Sequence, residues 1–417
     1  VERLTVRPGH RLAGEVPIAG AKNSVLKLMA ATVLAPGQHV LRRVPDITDV
    51  AWMADVLVAL GLEVHRPEPE TLEITSPDRV VPEAPYELVE RMRASTTLLG
   101  ALLARCGEAR VAMPGGDDFG ARPIDLHLEA LSELGAHFEL DHGTIVGTAP
   151  DGLVGARVVL EYPSVGATEN LMLAATRAKG TTVIDNAARE PEIADLATFL
   201  NRMGAQVMGA GTPTITVEGV EELRAATHEA IPDRVEAATY LAALGAAGGE
   251  LLLRGARGEH MQLLISKLGE IGMRVSHDAA GLWAMAPGRP RAVRMASLPY
   301  PGIATDYLPM LVALLTVAEG TSYVTENLFQ GRFRYLGELT RMGADLRIEG
   351  HHVAVRGVER LSGAPVRAFD IRAGAALVVA ALAAEGETTI LGAEHLARGY
   401  ERLGDKLAAV GVDVTVA

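Results

Sequence analysis

Six short stretches of this 417-residue chain set charged or polar side chains at a regular interval. They are Lys22-Asn23, Arg93-Ala94-Ser95, Ser164-Val165-Gly166, Asp233-Arg234, Thr305-Asp306 and Asp370-Ile371-Arg372, marked by positions 22, 93, 164, 234, 306 and 372. Each stands just before or at the start of an apolar, helix-forming run. A helix N-terminus carries unpaired N–H groups and a partial positive charge, so it accepts phosphate or carboxylate. Lys22, Arg93 and Arg372 add full charges to that field. The pattern predicts an anion site assembled from helix starts that equivalent units bring to a shared surface or cleft. Further charged loops precede the second helix of several units: 114–123, Arg189-Glu190-Pro191-Glu192, Gln330-Gly331-Arg332 and Ala397-Arg398-Gly399-Tyr400. The stretch 114–123, rich in Gly and bounded by Pro, reads as a lid.

Not every charge in this pattern is read as chemistry. Asp233 and Asp370 are expected to cap helices. Arg189 with Glu190 and Glu192 reads as a structural ion-pair cluster. His10, His39 and His395 lack metal-ligand spacing, and no metal site or cofactor is expected. Cys106 stands at an apolar helix end and is expected to be buried; a single cysteine also excludes an internal disulfide and a Cys-ligated zinc site.

The elements that must position these residues repeat. An apolar helix end, a Gly and an alternating strand recur at Gly61, Gly135, Gly204, Gly272, Gly343 and Gly411, at intervals of 74, 69, 68, 71 and 68. This predicts helices closed by a left-handed Gly and followed directly by strands. A second phrase of the same period, with Gly37, Gly107, Gly180, Gly248-Gly249, Gly320 and Gly386, marks a second helix–strand junction per unit. The helices are expected to be amphipathic, Val25, Met29 and Val33 sharing a face. A period near 70 is too long for a solenoid of short repeats, so six units are expected to form two α/β halves of three. The predicted boundaries are 1–20 plus 232–417 for one discontinuous domain and 21–231 for the other. The first 18 residues are expected to pair with the far half, with Gly14 and Gly20 as hinge points.

Composition sets the class. The chain is 48% hydrophobic and 22% charged, which excludes disorder and leaves enough apolar mass for a large core. A net charge of −13 argues against a nucleic-acid or anionic-membrane partner. The longest apolar runs, 311–318 and 375–384, fall short of the roughly 20 residues a membrane span needs, and the N-terminus has no signal-peptide core. A cytoplasmic protein is expected.

Several motifs together resemble one family. They are Gly20-Ala21-Lys22-Asn23, Met92-Arg93-Ala94-Ser95, Pro114-Gly115-Gly116, Gly120-Ala121-Arg122-Pro123-Ile124-Asp125-Leu126-His127, Pro163 through Asn170, Asn186 through Ile193 and Arg398-Gly399-Tyr400-Glu401-Arg402. In this order, over essentially the whole chain, they resemble the UDP-N-acetylglucosamine 1-carboxyvinyltransferases, enolpyruvyl transferases related to EPSP synthase. The resemblance implies a two-domain inside-out α/β barrel of six βαβαββ repeats. It implies transfer of the enolpyruvyl group of phosphoenolpyruvate to the sugar 3′-hydroxyl through a tetrahedral intermediate, with phosphate released, as the first committed step of peptidoglycan synthesis. No cofactor is implied, and a monomer is expected.

By the same resemblance, Lys22, Asn23, Arg93, Arg122, Arg372 and Arg398 would hold phosphoenolpyruvate. Arg93, Arg122, Pro123, Ile124, Asp125, Leu126, Ser164, Val165, Asp306 and Leu328 would hold the sugar nucleotide. Lys22, Asp117, Asp306 and Arg398 would be catalytic, with Asp306 as general base toward the 3′-hydroxyl and fixed cations stabilising the charge of the intermediate. The chain departs from the family at Asp117, where most members have Cys in a Pro-Gly-Gly-Cys loop. A thiolate is alkylated by an epoxide such as fosfomycin; a carboxylate is a far poorer nucleophile, but it serves as an acid if desolvation raises its pKa. Tyr162 stands where some members have Lys. Two other readings are weighed against this one. An enolpyruvyl transferase acting on a uridine nucleotide would differ in its acceptor, and a catalytically dead sugar-nucleotide sensor would bind without turnover. Shikimate phosphate as acceptor is disfavoured by the Arg122–His127 nucleotide segment.

Overall fold

The computed structural model describes residues 3–7, 9, 11–113, 124–329 and 331–417. Their path runs strand, helix, strand, helix, strand, strand five times, and a sixth time with a single strand at its end. All six glycines of the first phrase hold φ between +91° and +109°, a conformation that an L side chain enters only with strain. The left-handed helix closures anticipated from the spacing are therefore present, and each passes straight into a strand.

The described residues include six four-stranded sheets with one common plan. In the second repeat Glu83–Ala84 lies parallel to Glu108–Ala112; that strand pairs antiparallel with Thr144–Thr148, which pairs antiparallel with the edge strand His137–Asp141. A parallel pair needs a long crossover, and here a helix supplies it. Three sheets recruit a strand from a distant part of the chain. Leu12–Pro17 runs parallel to Gly249–Arg254. Thr227–Glu229 runs parallel to Gly37–Arg42. Arg3–Arg7 inserts between Thr388–Leu391 and Asp413–Val416. Accordingly the described residues fall into two compact units, 3–19 with 232–417 and 20–113 with 124–231.

Each unit has its own core of three inner helices, all in mutual contact in the unit with 232–417, and joined through Leu98–Cys106 in the other. In one these are Lys22–Ala31, Leu98–Cys106 and Val165–Ala175; in the other, Arg234–Ala247, Leu308–Leu315 and Ile371–Leu382. The amphipathic pattern expected of the helices holds in Lys22–Ala31, where Val25 and Met29 are fully buried and Asn23 and Lys27 are less so, and fails for two of the others. Leu308–Leu315 and Ile371–Leu382 are buried at every position, because sheets and neighbouring helices cover all their faces, and a helix enclosed that way is apolar all round. The expected stripe appears on second helices too: Gln262–Ile271 buries only Leu264, Leu268 and Ile271. Small residues let the inner helices approach closely. A Cβ on Gly100 would lie 2.3 Å from the carbonyl oxygen of Asn170.

Caps fix where the inner helices begin. Asp233 accepts from the N–H groups of Val235 and Glu236, Asp370 from those of Arg372 and Ala373, and Ser164 from that of Ala167. Each cap is worth about 1 kcal/mol. Gly20, read as a hinge point, is a close-packing position: a Cβ there would sit 1.7 Å from the carbonyl oxygen of Arg43. The Arg189 N–H donates to the Glu190 carboxylate and its guanidinium to the Gly211 carbonyl. Cys106 is half-buried rather than buried.

Candidate active site

Asp117, Arg122 and Pro123 lie outside the described residues. The other candidates divide between the two units, and each group is built around buried polar connections.

In the unit containing 20–113 and 124–231, Lys22 opens its inner helix, and its ammonium lies 2.5 Å from the Asp49 carboxylate. Asp49 sits in the first turn of Thr48–Ala59, almost fully buried. Asn23 follows, half-buried. Ser24 donates to Asp195, whose other oxygen meets His228 Nε2 at 2.8 Å. Arg202 donates to His228 Nδ1, so the ring hydrogen on Nε2 is the one that faces Asp195. These bonds lock the start of the Lys22 helix against Pro191–Arg202.

Asn170 is the second connection in this unit. Its side-chain oxygen accepts from Gly100 N–H, and its amide donates to the Thr96 carbonyl and to His127 Nδ1. One residue thereby joins the turn that begins at Arg93, the helix that begins at Asp125 and the helix that Ser164 caps. Ile124, Asp125, Leu126, Ser164 and Val165, all assigned to the nucleotide by resemblance, are brought to neighbouring helix starts by this bond and by the His127–Gly166 contact. Burial first, then the charges of Arg93 and Lys27, pushes His127 down to about 4. It is neutral at physiological pH, with Nδ1 accepting and Nε2 carrying the hydrogen. Burial also lowers the pKa of half-buried Arg93.

In the unit containing 3–19 and 232–417, Asp306 lies at the start of a short turn before Leu308–Leu315. Arg332 donates to Oδ1 at 2.6 Å, and Arg372 to Oδ2 at 3.2 Å. Burial alone would raise the Asp306 pKa, but the charges of Arg372, Arg332 and Arg234 overcome it and hold the carboxyl well below the usual carboxylate range. Arg372 also donates to the Tyr400 hydroxyl. That hydroxyl then gives its proton to Thr239, whose own proton goes to the Val235 carbonyl. Arg372 and Arg398 are each under one-tenth exposed, and Arg398 closes the short helix Glu394–Ala397, two residues before Tyr400. Leu328 is tied to the same region through Glu326, which accepts its N–H.

Arg372, Asp306 and Leu328 thus meet in one network. Arg332, Glu326, Thr305 and Tyr400 belong to it but carry no functional assignment from the motifs. Arg332 had a signal, since Gln330-Gly331-Arg332 recurs in register with the other charged loops. Glu326 had none, because a lone Glu after a strand looks like any solvated acid. Among the described residues no group of three or more His, Cys, Asp or Glu is arranged to hold a metal ion, and no helix is long and apolar enough to cross a membrane.

The model of the family EPSP synthase (3-phosphoshikimate 1-carboxyvinyltransferase) matches residues 6–407. The chain belongs to the EPSP synthase family. Among relatives, the UDP-N-acetylglucosamine 1-carboxyvinyltransferase of Gluconobacter oxydans is 49% identical over 99% of both chains. That of Mycobacterium tuberculosis is 48% identical over 99% of this chain and 98% of its own. Among solved structures, the enolpyruvyl transferase NikO from Streptomyces tendae aligns with a TM-score of 0.88 at 27% identity, covering 99% of this chain and 98% of that one. EPSP synthase from Acinetobacter baumannii aligns over the full length of both chains with a TM-score of 0.77 at 18% identity, a likeness of fold. The fold is accordingly the family's two-domain inside-out α/β barrel of six repeats, and the protein is an enolpyruvyl transferase. The inner helices with their sheets outside are that architecture seen within each unit.

Proposed function

We infer that the protein transfers the enolpyruvyl group of phosphoenolpyruvate to the 3′-hydroxyl of UDP-N-acetylglucosamine and releases phosphate, the committing step of peptidoglycan synthesis. The full-length likeness to relatives of that activity carries the reading. The reading makes it a cytoplasmic enzyme, acting as a monomer on two soluble phosphorylated substrates.

The reaction adds the 3′ oxygen to C2 of phosphoenolpyruvate while C3 gains a proton. Loss of phosphate from C2 and of a proton from C3 then restores the vinyl group. The reading assigns Lys22, Asn23, Arg93, Arg122, Arg372 and Arg398 to phosphoenolpyruvate, with Arg332 added from its place beside Arg372. It assigns Ile124, Asp125, Leu126, Ser164, Val165 and Leu328, with Arg122 and Pro123, to the sugar nucleotide. Asp306 is assigned as the base and Asp117 as the proton donor.

The environment of Asp306 shapes how it can serve. A carboxylate gripped by two guanidiniums is a weak base. An arriving anion competes for Arg332 and Arg372, and drawing them off raises the basicity of Asp306 as its substrate binds. Lys22 works by the same exchange, its ammonium passing from Asp49 to the substrate phosphate.

The test is phosphate release from phosphoenolpyruvate with a panel of acceptors. Release is expected with UDP-N-acetylglucosamine, and not with UMP or shikimate 3-phosphate; a preference for UMP would instead make the protein a nucleotide-directed transferase. At position 117 the carboxylate predicts full activity after prolonged incubation with fosfomycin, and time-dependent inactivation of Asp117→Cys. Irreversible loss of wild-type activity would refute the resistance.

A further inference from the structure

The buried Glu326 has no catalytic assignment, yet it accepts four hydrogen bonds from three separate segments. Ser297 donates to Oε1 at 2.7 Å, Leu328 N–H at 2.8 Å and Phe329 N–H at 3.3 Å. Thr305 donates to Oε2 at 2.5 Å. Glu326 is only 4% exposed. Because the single Thr305 proton goes to Glu326, the Thr305 oxygen is left as an acceptor, and Arg332 uses it: Nη1 donates to Thr305 at 2.6 Å while Nη2 donates to Asp306 at 2.6 Å. The two nitrogens of one planar fork are thus held by neighbouring residues, and the polarity of the whole chain of bonds is set by the carboxylate at its end.

We propose that Glu326 is a positioning residue: through Thr305 it fixes the orientation in which Arg332 meets Asp306 and the anionic substrate, and through its other oxygen it sets the backbone at Leu328 and Phe329. The proposal rests on the function given above for this site. Glu326 touches neither Asp306 nor Arg332 itself and acts through the Thr305 hydroxyl. Replacing it by Gln keeps shape and volume but presents an N–H₂ donor in place of one acceptor oxygen. If the amide oxygen keeps Ser297 and the two backbone N–H groups, the amide nitrogen faces Thr305. The hydroxyl must then accept from that nitrogen with a lone pair and turn its own hydrogen away from position 326, so the orientation of the lone pair that meets the fork of Arg332 is no longer fixed.

The decisive experiment is a double-mutant cycle of Glu326→Gln and Thr305→Val, with Thr305→Ser as the conservative control, measured on phosphate release. Each of the first two is expected to lower kcat/KM for phosphoenolpyruvate by about tenfold or more, since small misplacements of a positioning group cost that much. The double variant is expected to be no worse than the weaker single variant, because both break one chain, and Thr305→Ser is expected within about twofold of wild type. Multiplying effects, or single variants within twofold of wild type, overturn the proposal. A second measurement needs no turnover: the nitrogen NMR signal of the Arg332 side chain in the substrate-free protein. Restricted guanidinium rotation is expected in wild type and Thr305→Ser, and free rotation in Glu326→Gln and Thr305→Val; unchanged rotation in those two variants overturns the proposal. A wild-type protein that releases no phosphate refutes the function alone, while the NMR comparison still judges Glu326.

Discussion

Asp306 and His127 show how far a side chain's neighbours decide its chemistry. Asp306→Asn keeps the shape and removes both the base and the competitor for Arg332 and Arg372. The expected result is a fall in kcat of about 10²–10⁴ with phosphoenolpyruvate binding no weaker than in wild type, checked by steady-state kinetics and calorimetry. A carboxylate needed mainly to hold the arginines in place would show the reverse, weaker binding with kcat nearly kept. His127 gives a pH prediction. Its folded pKa, about 4, lies below the ordinary 6.5, so the unfolded chain binds the extra proton first. The contribution of His127 is therefore complete above pH 6.5 and is lost as pH falls toward 4. Glu169 and Glu236, both pushed up to about 7 by burial, have the opposite slope, since raised carboxyl pKa values favour the folded state at low pH and lose that advantage as pH rises through 7. Comparing His127→Gln with wild type isolates one term. The variant is expected to lose up to about 3 kcal/mol less stability than wild type between pH 7.5 and pH 4, by chemical denaturation; parallel pH profiles would contradict this.

At the scale of elements, the inner helices owe their packing to small residues, and two glycines on helices separate packing from propensity. Gly100→Ala drives a methyl into the Asn170 carbonyl and is expected to cost more than about 2 kcal/mol. Gly269, within Gln262–Ile271, has open space where a Cβ would stand, with no neighbouring atom within 4 Å, and Gly269→Ala is expected to stabilise by about 0.5–1 kcal/mol. Denaturant titration of both variants checks the pair; equal effects would contradict the packing account. The repeat was legible because helix-closing glycines need φ > 0, and that need recurs at Gly61 as at Gly411. The enclosure of the first helices was not, since a run such as Ile371–Leu382 shows what it buries but not that both flanks are covered. The caps at Asp233 and Asp370 were legible because a cap is local. Glu326 and Asn170 were not, because their partners lie in other segments: Ser297 and Thr305 for one, Thr96 and Gly100 for the other.

For the whole molecule, the described residues pass from one unit to the other at 19–20 and at 231–232, and the strands Arg3–Arg7 and Leu12–Pro17 complete sheets with residues beyond 248. The common plan of the sheets keeps every inner-helix start in an equivalent place within its unit, which is how residues as distant in sequence as Asp306, Arg332 and Arg372 come to share one ion-pair network. The proposed function makes one central claim, that the phosphorylated three-carbon substrate takes both Lys22 and Arg398 as ligands. The most direct measurement is a crystal structure of the protein with UDP-N-acetylglucosamine and a non-reactive phosphoenolpyruvate analogue. The account predicts one analogue molecule within hydrogen-bond distance of Lys22 Nζ and of the Arg398 guanidinium, with Asp306 facing the sugar 3′-hydroxyl. An analogue that meets only one of Lys22 and Arg398, or neither, would contradict it.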